Sequence, residues 1–157
     1  MSEWQPPPPP WLTPALGAIG EAEVPGEADN LLIREMHASV DGTPLADEIP
    51  WCSAFVAWAL RRGGLVLPRG ITRAARSWLK ADGLVPSDEP CRGAIAVLWR
   101  GDPTGWQGHV GFLLGRSPSA VVLLGGNQRN AVSAQAFPSY QVLGYRWHPA
   151  FTLGPPL

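Results

Sequence analysis

Residues 93–128 read GAIAVLWRGDPTGWQGHVGFLLGRSPSAVVLLGGNQ, and their pattern decides the fold. Three short aliphatic runs, GAIAVLWR (93–100), HVGFLLG (109–115) and AVVLLGG (120–126), have the composition of β-strands. The segments between them, GDPTGWQG (101–108) and RSPS (116–119), are turn-rich and hairpin-sized, so the strands are predicted to be antiparallel. YQVLGYRW (140–147) predicts a further strand, and NQRNAVSAQAFPS (127–139) reads as the connection to it.

Upstream of these strands the rhythm is helical. It runs through residues 14–38 and is clearest in EADNLLIREMHASV (27–40). DGTPLADEIP (41–50) is a loop, and IPWCSAFVAWAL (49–60) predicts a helix with Pro50 in its first turn and Gly63-Gly64 as its stop. A shorter helix is expected in TRAARSWLKADG (72–83), capped by Thr72 and ended by Gly83. Helices followed by a run of hairpin strands define an α+β fold, with N-terminal helices on an antiparallel sheet. Pro6 to Pro10, between Trp4 and Trp11, form a polyproline II segment. It reads either as an arm lying on the domain or in solvent, or as a docking tag for a partner. The expected organisation is an arm over 1–13, one domain over 14–150 and a tail over 151–157.

The 157 residues suit one domain; 45% are hydrophobic, and the net charge of −1 gives no basic excess for a nucleic-acid partner. The N-terminus lacks the charged flank and apolar run of a signal peptide, and nothing approaches the roughly 18 apolar residues of a membrane span. The chain is therefore expected to be made in the cytoplasm and to depend on another system for delivery elsewhere. Two cysteines do not make a secreted disulfide framework, and the three histidines lack zinc spacing, so neither metal nor cofactor is expected.

Cys52 opens its helix on the face shared with Phe55, Val56 and Ala59. Two readings stand side by side: a buried packing residue, or a nucleophile whose thiol pKa is lowered by the helix N-terminus. Asp47 and Glu48 oppose such a lowering if they lie close. A thiolate needs a base, and His109 starts a strand with Gly111 two residues on, leaving an open notch on the same face. A hairpin centred near Pro118 sets His109 opposite Asn127, whose amide then orients the imidazole. A one-residue slip puts Gln128 there instead. Trp51, Trp106 and Gln107 are candidate cleft walls. Cys91 reads as an inert thiol in a polar loop, and His37 and His148 as surface or cap residues.

PWCSAFVAW, GHVGF and LLGGNQRNAV, with LGYRW after them, resemble a bacterial and phage side branch of the NlpC/CHAP group of cell-wall cysteine peptidases. The likeness runs from about Glu21 to Trp147. It implies a reduced papain-like fold, with Cys52 as nucleophile, His109 as general base and Asn127 as the orienting residue. The implied activity is hydrolysis of a peptidoglycan amide bond, by an endopeptidase or an N-acetylmuramoyl-L-alanine amidase. The more familiar NlpC pattern has Asp-Cys-Ser-Gly where this chain has Trp51-Cys52-Ser53-Ala54. Implied partners are the stem peptide and, for a phage lysin or a secreted antibacterial effector acting at the cell wall, a holin-dependent release route, a secretion-machine component or an immunity protein. Two other readings share the residues: a deamidase or transglutaminase-like acyl-transfer enzyme, and a non-catalytic cell-wall binding module.

Overall fold

The aliphatic runs after residue 90 do pair as antiparallel strands in a computed structural model of the chain, which describes residues 7–26 and 28–157. Helices α1 (Leu12–Gly17), α2 (Leu31–Asp41), α3 (Cys52–Arg62) and α4 (Ser77–Lys80) precede all the strands of the sheet. The strands are β1 (Val85–Pro86), β2 (Ile95–Trp99), β3 (Gly108–Arg116), β4 (Ala120–Gln128), β5 (Ala131–Pro138) and β6 (Val142–Trp147). They form one antiparallel sheet in the order β1-β6-β2-β3-β4-β5. Among the described residues the architecture is therefore α+β, with four α-helices and six strands. No helix among them is long and apolar enough to cross a membrane.

Three local expectations change. Residues 131–138, read as a connection, form edge strand β5, paired with β4 from Ala120↔Pro138 to Gln128↔Ala131. Apart from buried Val132 its residues are half-buried or exposed, and most are small or polar, so they carry too little apolar signal to announce a strand. The helical rhythm of 14–38 splits into α1 and α2. Asn30 starts α2, its Oδ1 accepting from Leu32 and Ile33 N–H at 2.9 and 3.2 Å. The helix expected over 72–83 contracts to α4, because Thr72 caps a turn at Ala74 instead.

Helix α3 explains the core. Every residue from Cys52 to Leu60 is buried, as expected for a helix covered on all sides. It lies between α1 and α2 and the sheet strands β3 and β4. Phe55 meets Phe112 of β3 edge-on, with ring centroids 5.9 Å apart. Trp11, expected in the arm, is wholly buried and donates Nε1–H to the Gly93 carbonyl at 2.8 Å. Trp4 and Pro6 lie outside the described residues, as does Glu27.

Gly126 sets the distance between α3 and β4. A Cβ there would lie 2.6 Å from Phe55 Cβ and 2.8 Å from the Trp51 ring. Gly126→Ala is expected to destabilise the fold by about 1–3 kcal/mol, since the helix must move off the strand. Urea denaturation checks this; an unchanged midpoint contradicts so tight an approach.

Candidate active site

The site forms where β3 and β4 part. They pair at Phe112↔Leu124 and Leu113↔Leu123, but the ladder does not extend to His109. Leu113 N–H points to β2, bonding the Ala94 carbonyl at 2.8 Å, so by strand alternation the N–H groups of Phe112 and Val110 point towards β4. Past the end of the ladder, the Val110 N–H lies close enough to the Cys52 thiol to pull its pKa down. Cys52 thus sits at the strand split, against the residue next to His109.

Burial decides the state of that thiol. Cys52 is only 7% exposed, and desolvation pushes its pKa up. The Val110, Ser53 and Cys52 N–H groups and the Arg100 charge pull it down, but do not prevail. The lowering expected from the helix N-terminus is therefore outweighed, and Cys52 rests as a neutral thiol. Asp47 is not the opposing charge, because its carboxylate is engaged elsewhere. Burial pushes its pKa up, but N–H donation from Val24 and Asn30, at 2.7 and 2.8 Å, outweighs this and lowers it.

His109 is also 7% exposed, and its Nε2 lies 2.9 Å from Gln128 Oε1. The Gln128 amide is itself held, since its Nε2 donates to the Ser133 carbonyl at 2.8 Å and to the Leu123 carbonyl at 3.3 Å. Oε1 is then the atom facing the ring, so Nε2 carries the proton and Nδ1 the lone pair. Burial lowers the His109 pKa; the Gln128 bond raises it and Arg100 lowers it further. The ring is a neutral base oriented by an amide. No hydrogen bond joins it to the Cys52 thiol in this state.

The orienting residue is thus Gln128, the alternative to Asn127, and the reason is a bulge. Between Gly125↔Ser133 and Gln128↔Ala131 the register of β4 and β5 shifts by one, with Asn127 at φ 59°. The extra residue reverses the alternation, so Gln128 takes the face a regular strand would give Asn127. Arg129 and Asn130, both with positive φ, close the two-residue turn that follows. The notch expected at Gly111 is absent, because a Cβ there would lie 3.0 Å from the Leu124 carbonyl oxygen and 3.3 Å from Leu123 Cβ. The glycine that makes room for the imidazole is Gly125, where a Cβ would press into the Gln128 amide and sit 3.2 Å from His109 Nε2.

A cleft of about 290 Å³ opens on His109, Asn127 and Gln128, with Arg100, Arg129 and Phe137 also in its wall. Cys52 does not line it. Trp51, expected as a wall, is fully buried and donates Nε1–H to Glu23 at 3.0 Å. Trp106 is 78% exposed, and neither it nor Gln107 lines the cleft. The Gln107 carbonyl instead accepts from Arg100 N–H and Arg76 Nε–H, shaping the loop between β2 and β3. Arg100 and Arg129 are site residues that the sequence reading passed over. The available signal was Arg100 ending an apolar strand beside the Leu98↔His109 pair.

The remaining cysteine and histidines are structural. Cys91 is free and 3% exposed, bridged by its backbone to Pro156 rather than in an open polar loop. His148, expected at the surface or as a cap, is buried; its Nδ1 caps Ala150 N–H and its Nε2 reaches the Val66 carbonyl at 2.9 Å. His37, given the same expectation, is wholly buried. Its Nδ1 accepts from Arg73 Nε at 3.1 Å, so its Nε2–H donates to the Ile49 carbonyl. Arg73 also grips Asp41 at 2.7 and 2.9 Å and, with Thr43, holds that carboxyl at about 2.

His37 and His109 both have pKa values lowered mainly by burial. Below the ordinary histidine value of about 6.5, the unfolded chain takes up protons that the folded chain refuses. Their stabilisation is complete above that value and declines as the pH falls below it. The urea midpoint is expected to drop between about pH 7.5 and pH 5. A midpoint constant across that window contradicts two buried neutral imidazoles.

The fold and the site together describe an α+β domain with a buried cysteine at the start of α3 and, on strand β3 packed against that helix, a histidine held by a glutamine. No protein-family model matches the chain, and no curated protein matches it.

Proposed function

We propose that the protein is a thiol hydrolase of reduced papain-like design that cuts an amide bond in peptidoglycan stem peptides. The observation that carries the reading is the His109–Gln128 bond, which leaves Nδ1 as the basic atom of a ring next to the residue that meets the Cys52 thiol. The resemblance of PWCSAFVAW, GHVGF and LLGGNQRNAV to cell-wall peptidase motifs supports the substrate class.

The reaction starts from a neutral pair. As Sγ attacks the amide carbonyl, His109 Nδ1 takes the thiol proton, and the Val110 N–H steadies the developing thiolate. The Cys52 backbone N–H, one of the unpaired donors of the helix start, faces the oxyanion. The C–N bond then breaks, and His109 returns its proton to the leaving amine. Water attacks the thioester, giving His109 a proton and releasing the acid; that proton restores the thiol.

Digestion of purified sacculi, followed by mass spectrometry of the soluble fragments, tests this directly. Fragments with one new amine and one new carboxyl at a single bond type are expected, and that bond distinguishes endopeptidase from amidase. Intact sacculi with ammonia released from protein glutamine would replace this reading with the deamidase one.

A further inference from the structure

The cleft over His109 has a chemical bias that the proposed hydrolysis does not explain. Arg100 and Arg129 both line it, and no carboxylate does. Neither guanidinium takes part in an ion pair among the described residues. The rest of the polar wall is amide, from Asn127, Gln128, Gln135 and Gln141. Gln128 is committed to His109 and Ser133, which leaves three amides with N–H groups to donate.

Two unpartnered guanidiniums among amide donors make a wall that attracts an anion and repels a cation. The bulge at Asn127 and the turn that starts at Arg129 bring both side chains to the cleft. The cleft is at the small end of ligand sites, which are roughly 300 Å³ upwards, so it suits a short segment.

We infer that the Arg100–Arg129 cleft binds a carboxylate on the substrate, next to the scissile amide, so that the preferred substrate is an acidic peptide. The inference rests on the thiol-hydrolase reading for the adjoining scissile bond. It gives Asn127 a role as a substrate contact rather than as the residue that orients the imidazole.

Alkylation of Cys52 by iodoacetate and by iodoacetamide tests the site without any substrate. The two reagents attack the same sulfur and differ in carrying a carboxylate or an amide. At a pH where His109 is neutral, the iodoacetate-to-iodoacetamide rate ratio at Cys52 is expected to exceed that of a neutral free thiol by roughly tenfold. R100Q/R129Q should remove the excess, and R100K/R129K should keep most of it. The ratio cancels any change in thiol pKa, which affects both reagents alike.

Normal alkylation with a ratio that R100Q/R129Q does not alter overturns the carboxylate site and leaves the hydrolase intact. A Cys52 that reacts with neither reagent overturns the thiol reading itself. On stem peptides differing only in a free or amidated carboxyl beside the cut, R100Q/R129Q should raise KM for the free acid about tenfold and spare the amide. An equal loss on both peptides also overturns the site.

Discussion

Cys52→Ala is expected to reduce the release of soluble fragments from sacculi on the order of 10⁴-fold or more, because it removes the atom that forms the acyl intermediate. The fold should survive the change. Cys52 is at the start of α3, and the residues that anchor that helix, Phe55 against Phe112 and Ser53 against Thr72 and Trp78, are untouched. Losing one buried sulfur costs on the order of 1 kcal/mol, which urea denaturation can verify. Cys52→Ser is a sharper variant, since its hydroxyl retains a partner for the Val110 N–H. It too should be inactive, because a buried hydroxyl ionises far less readily than a thiol. Cys91→Ala should leave the rate unchanged, as Cys91 pairs with Pro156 in the C-terminal tail and does not line the cleft over His109. Residual activity above about a tenth of the native rate in Cys52→Ala overturns the mechanism.

Gln128→Leu is expected to lower kcat between about 10²- and 10⁴-fold, the range in which losing the orienting member of a triad falls. Asn127→Ala should leave kcat near native, because the amide that meets the imidazole belongs to Gln128. Gln128→Glu separates orientation from packing. A carboxylate in place of the amide still accepts from Nε2–H, but its second oxygen meets the Ser133 and Leu123 carbonyls, so it should rescue only part of the rate. It should also favour the imidazolium and move the acid limb of the pH–rate profile to higher pH. A purely structural glutamine predicts neither the rescue nor the moved limb. If Asn127→Ala proves the more damaging change, the bulge assignment is wrong.

These variants trace back to what was readable in the chain. The strand at 109–115 and the hairpin register near Leu113↔Leu123 follow from apolar runs and turn residues alone. That register is the one that set His109 opposite Asn127. It holds at the core end and fails four residues later, because backbone conformation at Asn127, not side-chain pattern, governs the last turn of the ladder. An asparagine tolerates positive φ, but the residue type does not say that it adopts it. Strand β5 was hidden for a related reason: beyond Val132 it is mostly small or polar and half-buried or exposed, and pairing with β4 rather than composition makes it a strand.

The places of Cys52 on its helix and His109 on its strand were legible, and their electrostatic state was not. A cysteine at a helix start suggests a lowered thiol pKa, yet the same helix is buried from Cys52 to Leu60, and desolvation is the larger effect. His37 looked peripheral on its helix, yet the fold closes Arg73 and the Ile49 carbonyl around it.

From sequence by itself, this protein's class as α+β, its helix bearing Cys52 and its strand bearing His109 were determined, because hydrophobic periodicity and turn chemistry are local properties. Only the tertiary structure chose Gln128 over Asn127, replaced the Gly111 notch with Gly125, buried Trp51 and brought Arg100 and Arg129 to one cleft. Each of those outcomes depends on a one-residue bulge or on what covers a side chain, and both arise from contacts between segments distant in the chain.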